Sequence, residues 1–160
     1  MKDEAINMKD DKGALRLENQ LCFRLYSASK EVVRRYKPYL DPLGLTYTQY
    51  IAMMVLWETP CVSSRQLGRR LFLDSGTLTP VLKRLETMGY VNRKRDEKDE
   101  RNLIVTLTEA GQALKARAAF VPGQMAACIR MEPQDAMQLY TLLHRLLDGM
   151  QTGEDSGCAE

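Results

Sequence analysis

The residues of this chain with chemistry to offer are four cysteines and a cluster of arginines and lysines. Cys22, Cys61, Cys128 and Cys158 stand far apart, no two forming a Cys-x-x-Cys pair, and His144 is the one histidine. A structural zinc site needs closely set nitrogen and sulfur ligands, so no metal is expected, and nothing in the sequence calls for a cofactor. In a reducing compartment these cysteines are expected to be thiols, any disulfide between them being transient and regulatory. A thiol reacts as its thiolate, which requires hydrogen-bond donors, a cation or a helix N-terminus to stabilise the anion. Cys22 lies on the apolar stripe of a helical segment, where a cysteine is either inert packing or, with such donors beside it, a redox site. Cys61 falls in the loop after Trp57 and Cys158 in the C-terminal tail, neither with an evident role. His144 reads as a satisfied residue of the last helix, and Trp57 as core.

The net charge of +2 gains meaning when it is mapped along the chain. From Ser63 to Arg101 there are ten Lys and Arg against six acids, which is +4, and the rest holds thirteen against fifteen, which is −2. Positive charge gathered into one stretch is what a phosphate-contacting surface requires. The N-terminal residues are polar and carry acids, unlike a signal or transit peptide. Apolar runs fall far short of the ~20 residues that cross a bilayer. A cytoplasmic location with no membrane partner is the expectation, and 44% hydrophobic with 28% charged residues fits a globular chain.

The elements that must position these groups follow from periodicity and caps. Leu21, Cys22, Leu25, Tyr26, Val32, Val33 and Tyr36 recur at helical spacing and predict a long helix over 15–40, ended by Pro38 and Asp41-Pro42. Thr46-Tyr-Thr-Gln49 and Ser63-Ser-Arg-Gln66 read as capping boxes, opening helices through Trp57 and about Phe72. A further helix runs to Met88 and stops at Gly89; Asp74 or Ser75 caps it, or else Thr79-Pro80 opens a shorter one. Residues 90–95 and 102–107 are strand-like flanks of the charged tip 96–101. Thr108 caps a helix to about Arg130, with an interruption possible near Pro122-Gly123, and Glu132-Pro133 opens a last amphipathic helix to Leu147. The fold class is thus mainly α with a small β hairpin: a single domain over 1–160, its DNA-binding winged helix-turn-helix at 46–107 and its long dimerisation helices at about 15–40 and 108–148. Residues 1–14 and 149–160 are expected to be mobile tails. The outer helices carry apolar stripes that the core does not need, and a second copy of the chain is the economical cover, making a homodimer.

In such a fold the second helix of the motif enters the major groove by its N-terminal half, which here offers Ser75, Gly76, Thr77 and Thr79. Lys83 and Arg84 follow, suited to phosphates or guanine edges. The hairpin holds Arg93, Arg95, Lys98 and Arg101, cations that suit a narrow minor groove, and Asp99 stands where it can orient Arg101. The competing reading is a winged helix used for protein contact, its charges merely solvated.

The stretch from Leu67 through Asp74-Ser-Gly-Thr-Leu-Thr-Pro80 to Val91, joined to Arg95-Asp-Glu-Lys-Asp-Glu-Arg101, resembles the MarR family. Within it the likeness is to the organic-hydroperoxide-sensing repressors. It extends through Thr108-Glu-Ala-Gly111 and back through Leu43-Gly-Leu-Thr-Tyr-Thr-Gln-Tyr50, about residues 17–130. The resemblance implies a homodimer gripping an inverted repeat of double-stranded operator DNA, and a non-enzymatic repressor whose oxidant is an organic hydroperoxide. It also implies roles for Tyr36 and Tyr47 as the donors to a reactive Cys22. Fourteen residues of one helix separate Cys22 from Tyr36, about 21 Å, so they cannot touch within that helix but can meet if two antiparallel copies pack across a two-fold axis. Cys128 resembles the resolving cysteine of two-cysteine members, which implies an inter-subunit Cys22–Cys128 disulfide. Two other readings stay open: capping of Cys22 by a small thiol, and relief of repression by a phenolic ligand without thiol chemistry. A thiol peroxidase would consume the same oxidant but would leave the basic wing unexplained.

Overall fold

The computed structural model describes residues 15–95 and 103–152. They fall into two compact units divided after Met125. The first unit begins with a short 3-10 turn at Leu17–Asn19, followed by helix α1 over Leu21–Leu40. Helix α2 spans Tyr47–Glu58, strand β1 Cys61–Ser63, helix α3 Ser64–Leu71 and helix α4 Ser75–Thr87. Strands β2 (Val91–Arg95) and β3 (Leu103–Leu107) form the wing, and helices α5 (Glu109–Ala118) and α6 (Val121–Cys128) follow. Helix α7, Pro133–Thr152, belongs to the second unit.

Both capping boxes form. Thr46 Oγ1 accepts from the Gln49 amide at 3.3 Å while Gln49 Oε1 accepts from the Thr46 amide at 2.8 Å, so two donors at the helix start are satisfied reciprocally. Ser63 and Gln66 repeat the arrangement at α3. At α4 the choice falls on Asp74, whose carboxylate accepts from the Thr77 amide at 2.9 Å. This cap outweighs the cost of leaving Pro80 inside the helix without an N–H. The long first helix, expected from Leu15, begins at Leu21, because the backbone is extended at Gln20 and breaks it from the short turn before. It also runs through Pro38 to Leu40. The helix after Thr108 ends at Ala118, with Pro122 tolerated in the first turn of α6. The last helix continues beyond the expected Leu147 to Thr152.

Cys61 is not in a loop. Strand β1 pairs antiparallel with β3, setting Cys61 opposite Thr106, so the hairpin becomes a three-stranded sheet in the order β1-β3-β2. The core of this unit gathers Leu40, Met53, Leu56, Leu67, Leu82, Leu85, Val91, Val105 and Leu114. It sits beneath the helix-turn-helix and the sheet, and α1 contributes only Leu40 to the buried set.

Gly111 is where the wing meets α5. A Cβ built there would lie 2.2 Å from the Tyr90 carbonyl oxygen, and the Gly111 carbonyl accepts from Trp57 Nε1 at 2.9 Å. Backbone cannot yield as a side-chain tip can, so Gly111→Ala is expected to destabilise the fold by about 2–3 kcal/mol. Thermal or urea unfolding of the purified chain checks this.

Candidate DNA interface and redox site

Helices α3 and α4 are joined by the turn Phe72-Leu73-Asp74, with Phe72 in the left-handed region at φ 54°. Gly68 allows the close packing, since a Cβ there would lie 2.8 Å from the Leu73 carbonyl oxygen. Leu78, Leu82 and Leu85 pin α4 to the core, which turns Ser75, Gly76, Thr77, Thr79, Lys83 and Arg84 to the exposed side. The two threonine hydroxyls are already committed as donors. Thr77 Oγ1 donates to Asp74 Oδ2 at 2.8 Å and Thr79 Oγ1 donates to the Ser75 carbonyl at 2.7 Å. What the two threonines present outward is therefore a methyl group and an acceptor lone pair. The bonds from Thr77 hold the Asp74 carboxyl below its ordinary pKa, so the cap stays ionised at neutral pH.

In the wing, Arg95 is exposed at the end of β2, whereas Arg93 is engaged with the recognition helix. Its Nη2 and Nε donate to Glu86 Oε2 at 2.6 and 2.9 Å, and its amide donates to Glu86 Oε1 at 3.1 Å. Arg93 thus faces inward to α4, unlike the hairpin-tip role that its place in the sequence suggests. Lys98, Asp99 and Arg101 lie outside the described residues, as does Cys158. Around the motif, Arg65, Arg69, Lys83, Arg84 and Arg95 are exposed and have no ion pair among the described residues, whereas Arg70 pairs with Glu58.

Arg93 holds the Glu86 carboxyl below the usual glutamate range. A lowered carboxyl pKa favours the folded, paired form above the ordinary value and loses that advantage only as pH falls through the lowered one. The link is accordingly intact at neutral pH. Only acid below the ordinary glutamate range is expected to open it, which amide exchange of β2 followed against pH checks.

Tyr36 of α1 and Tyr47 of α2 come together with ring centroids 4.8 Å apart, and Tyr50 joins them at 5.9 Å from Tyr36. Among the described residues neither the Tyr36 nor the Tyr47 hydroxyl is hydrogen-bonded. Burial raises the pKa of both, and in Tyr47 the neighbouring Tyr36 adds to the shift. Both phenols therefore stay protonated at neutral pH, each with an O–H to donate. Cys22 is exposed in the first turn of α1, the same helix that carries Tyr36 fourteen residues later, so about 21 Å of helix separates them. Cys128 ends α6 and is half-buried. Among the described residues no cluster of His, Cys, Asp or Glu suits a metal ion, and no helix is long and apolar enough to cross a membrane.

Residues 34–118, more than half of the chain, match the family described as transcriptional regulator SarA/Rot. The chain is 46% identical over 134 residues to the organic hydroperoxide resistance transcriptional regulator of Bacillus subtilis, covering 84% of this chain and 91% of that protein. This chain belongs to the MarR family of winged-helix transcriptional regulators. Solved structures agree. The family member AbfR, known from Staphylococcus epidermidis, is matched in its reduced, DNA-bound form at a TM-score of 0.75 and 34% identity, over 89% of this chain and 98% of that one. Its disulfide-formed state is matched at 0.58 and 39% identity, over 85% and 96%.

Two residues of this candidate site carry no signal that residue type and spacing reveal. Tyr50 lies inside the stretch Leu43–Tyr50, yet only the fold shows that its ring packs beside Tyr36 and, at 6.2 Å, beside Trp57. Glu86 looks in sequence like one more solvated acid of the helix. Its approach to Arg93 across the Gly89 turn, where φ is +76°, has no signature in residue spacing.

Proposed function

We propose that this chain is a homodimeric repressor that binds operator DNA when Cys22 is reduced and leaves it when an organic hydroperoxide oxidises that thiol. The observation that carries the reading is the pair of protonated phenols, Tyr36 and Tyr47, with no acceptor among the described residues and with Cys22 beyond reach on the same helix. A second copy packed antiparallel supplies the missing thiol, so each sensor is assembled from both subunits. The exposed apolar residues Leu21, Tyr26 and Val33 on α1, and Met137, Tyr140 and Leu142 on α7, support such packing. Residues 15–40 and 108–148 then form the dimer, and 46–107 the DNA-binding lobes. The pairing of a reduced, DNA-bound relative with a disulfide-formed one that matches this chain less well supports a shape change on disulfide formation. The setting is the cytoplasm, and the thiol reacts about once per signal, as a sensor and not as an enzyme.

The Cys22 thiolate attacks the distal oxygen of the hydroperoxide. The O–O bond breaks, the alkoxide takes a proton and leaves as the alcohol, and the sulfur keeps the hydroxyl as a sulfenic acid. Tyr36 and Tyr47 stabilise the thiolate by donating to it, and those bonds are lost as the sulfur is oxidised. Cys128 of the partner subunit then attacks the Cys22 sulfur as its thiolate. An S–S bond forms, the S–O bond breaks and, with a proton, water leaves. Drawing these helices together rotates the lobes out of register with the DNA.

The test is a gel shift on a duplex covering the promoter region beside its own gene, before and after cumene hydroperoxide, run alongside a non-reducing denaturing gel. The parent chain is expected to lose the DNA and to appear as a covalent dimer that dithiothreitol reverses. Cys128→Ser is expected to give no covalent dimer and to need an added small thiol for full release. A Cys128→Ser chain released as fully as the parent, without added thiol, overturns the disulfide step and leaves the sulfenic acid sufficient.

A further inference from the structure

Besides the packing of Val91 and Val105 into the core, a fork of hydrogen bonds ties the wing to the recognition helix. Glu86 Oε2 accepts from Arg93 Nη2 and Nε at 2.6 and 2.9 Å, and Oε1 accepts from the Arg93 amide at 3.1 Å. Side-chain and backbone donors of one wing residue therefore converge on one carboxylate. The pair is partly withdrawn from water, with 17% of the Arg93 side chain and 38% of the Glu86 side chain exposed. A planar guanidinium gripping a carboxylate by two N–H groups fixes orientation as well as distance.

The positions of the two residues give the fork its meaning. Thr79, Lys83 and Glu86 are spaced four and then three apart, so they lie along one face of α4, the face that begins with the exposed N-terminal half. On β2, Arg93 and Arg95 point to the same side of the strand, being two apart. Arg93 stands between Asn92 and Lys94 in register with Val105, so fixing its backbone amide fixes the whole strand against α4. The turn between helix and strand is also held, by Thr108 Oγ1 donating to the Gly89 carbonyl at 2.7 Å and by the Tyr90 amide donating to the Leu85 carbonyl at 3.0 Å. Freed from Arg93, Glu86 would present an unpaired anion on the helix face that the phosphates of a bound duplex approach. The fork thus does two things: it aims the wing and it neutralises an acid where an acid would repel DNA.

We propose that Glu86 is a positioning residue that, through Arg93, locks the wing to the recognition helix so that major-groove and minor-groove contacts are made at one fixed spacing. This rests on the DNA-binding reading given above. It assigns Arg93 to the internal link and leaves the outward contact of the described strand to Arg95.

The experiment compares the reduced parent chain with Glu86→Ala, Arg93→Ala and the exchanged pair Glu86→Arg with Arg93→Glu. Each is measured on the duplex covering the promoter region beside its own gene, and each is also followed free in solution by amide hydrogen exchange. For Glu86→Ala we expect roughly tenfold or greater weakening, with hydroxyl-radical protection lost at the flanking minor grooves and kept at the central major grooves. Arg93→Ala should weaken binding further, because the Glu86 anion remains. The exchanged pair should recover at least part of the affinity and of the flanking protection, which a merely structural loss would not allow. In the free protein, amides of β2 should exchange faster in Glu86→Ala while those of α4 keep the parent rate. Binding within twofold of the parent, or protection lost evenly across the duplex, overturns the proposal. If the parent chain itself fails to bind the duplex, the DNA reading falls, and unchanged exchange in β2 then refutes the link on its own.

Discussion

A Cys22→Ser chain is expected to stay on its DNA in a dose of cumene hydroperoxide that frees the parent protein. A serine hydroxyl is not ionised at neutral pH and is a poor nucleophile towards peroxide oxygen, so the first bond of the sequence never forms. The side chain is nearly the same size and sits exposed in the first turn of α1, so the fold and the reduced-state affinity should change little. The expected contrast is large. Coupling between two sites of one protein is typically worth 5–150-fold, so the parent should lose roughly a hundredfold in affinity and the serine chain less than about twofold. Tyr36→Phe with Tyr47→Phe gives the complementary result. Removing two O–H donors while keeping the rings leaves DNA binding intact and slows oxidation, read as the rate of loss of the Cys22 thiol. Release of the serine chain at the same dose would move the sensor elsewhere, the exposed Cys61 being the first place to look.

Salt is expected to act on an even greater scale. Arg65, Arg69, Lys83, Arg84 and Arg95 are exposed and without an ion pair among the described residues, and a dimer presents each of them twice. A protein making about six to ten phosphate contacts loses roughly 10³–10⁵ in affinity between 50 and 200 mM salt, because each contact releases condensed counterions. A plot of log affinity against log salt should be straight and steep. Replacing Lys83 or Arg84 with alanine should lower its slope by about one for each phosphate no longer neutralised, so by about two in a dimer. Replacing Arg70 should change the slope far less, because Glu58 already neutralises it. A shallow slope in the parent would mean that the basic stretch is solvated surface and that the winged helix serves protein contact.

Much of the fold is legible in the sequence because its signals are local. Thr46 with Gln49, Ser63 with Gln66, and Thr108 with the Gly111 amide bond across three residues, so residue type and spacing announce each helix start. Asp74 is one of two or three readable starts for α4; the bond from Thr77 to its carboxylate settles the choice against Pro80. The start of α1 lies later than the periodicity predicts, because apolar spacing continues back to Leu15 while the extended backbone of Gln20 separates the 3-10 turn at Leu17–Asn19 from the helix. The candidate sensor is legible in parts: Cys22, Tyr36 and Tyr47 follow from the family resemblance, but only their types are visible.

The chain alone, through caps, periodicity and the clustering of its cations, dictated a winged helix-turn-helix with a basic face and a thiol on its first helix. Folding decided which of those groups face each other. Strand β1 is three residues long and exists because β3, more than forty residues on, offers its edge. Tyr36 and Tyr47 touch because α1 and α2 pack on a common core, and Arg93 turns inward because Glu86 is there to receive it. A hydrogen bond across three residues costs little chain entropy and leaves its mark in spacing. A contact between distant segments depends on the whole core bringing them together, and no short stretch of sequence records that.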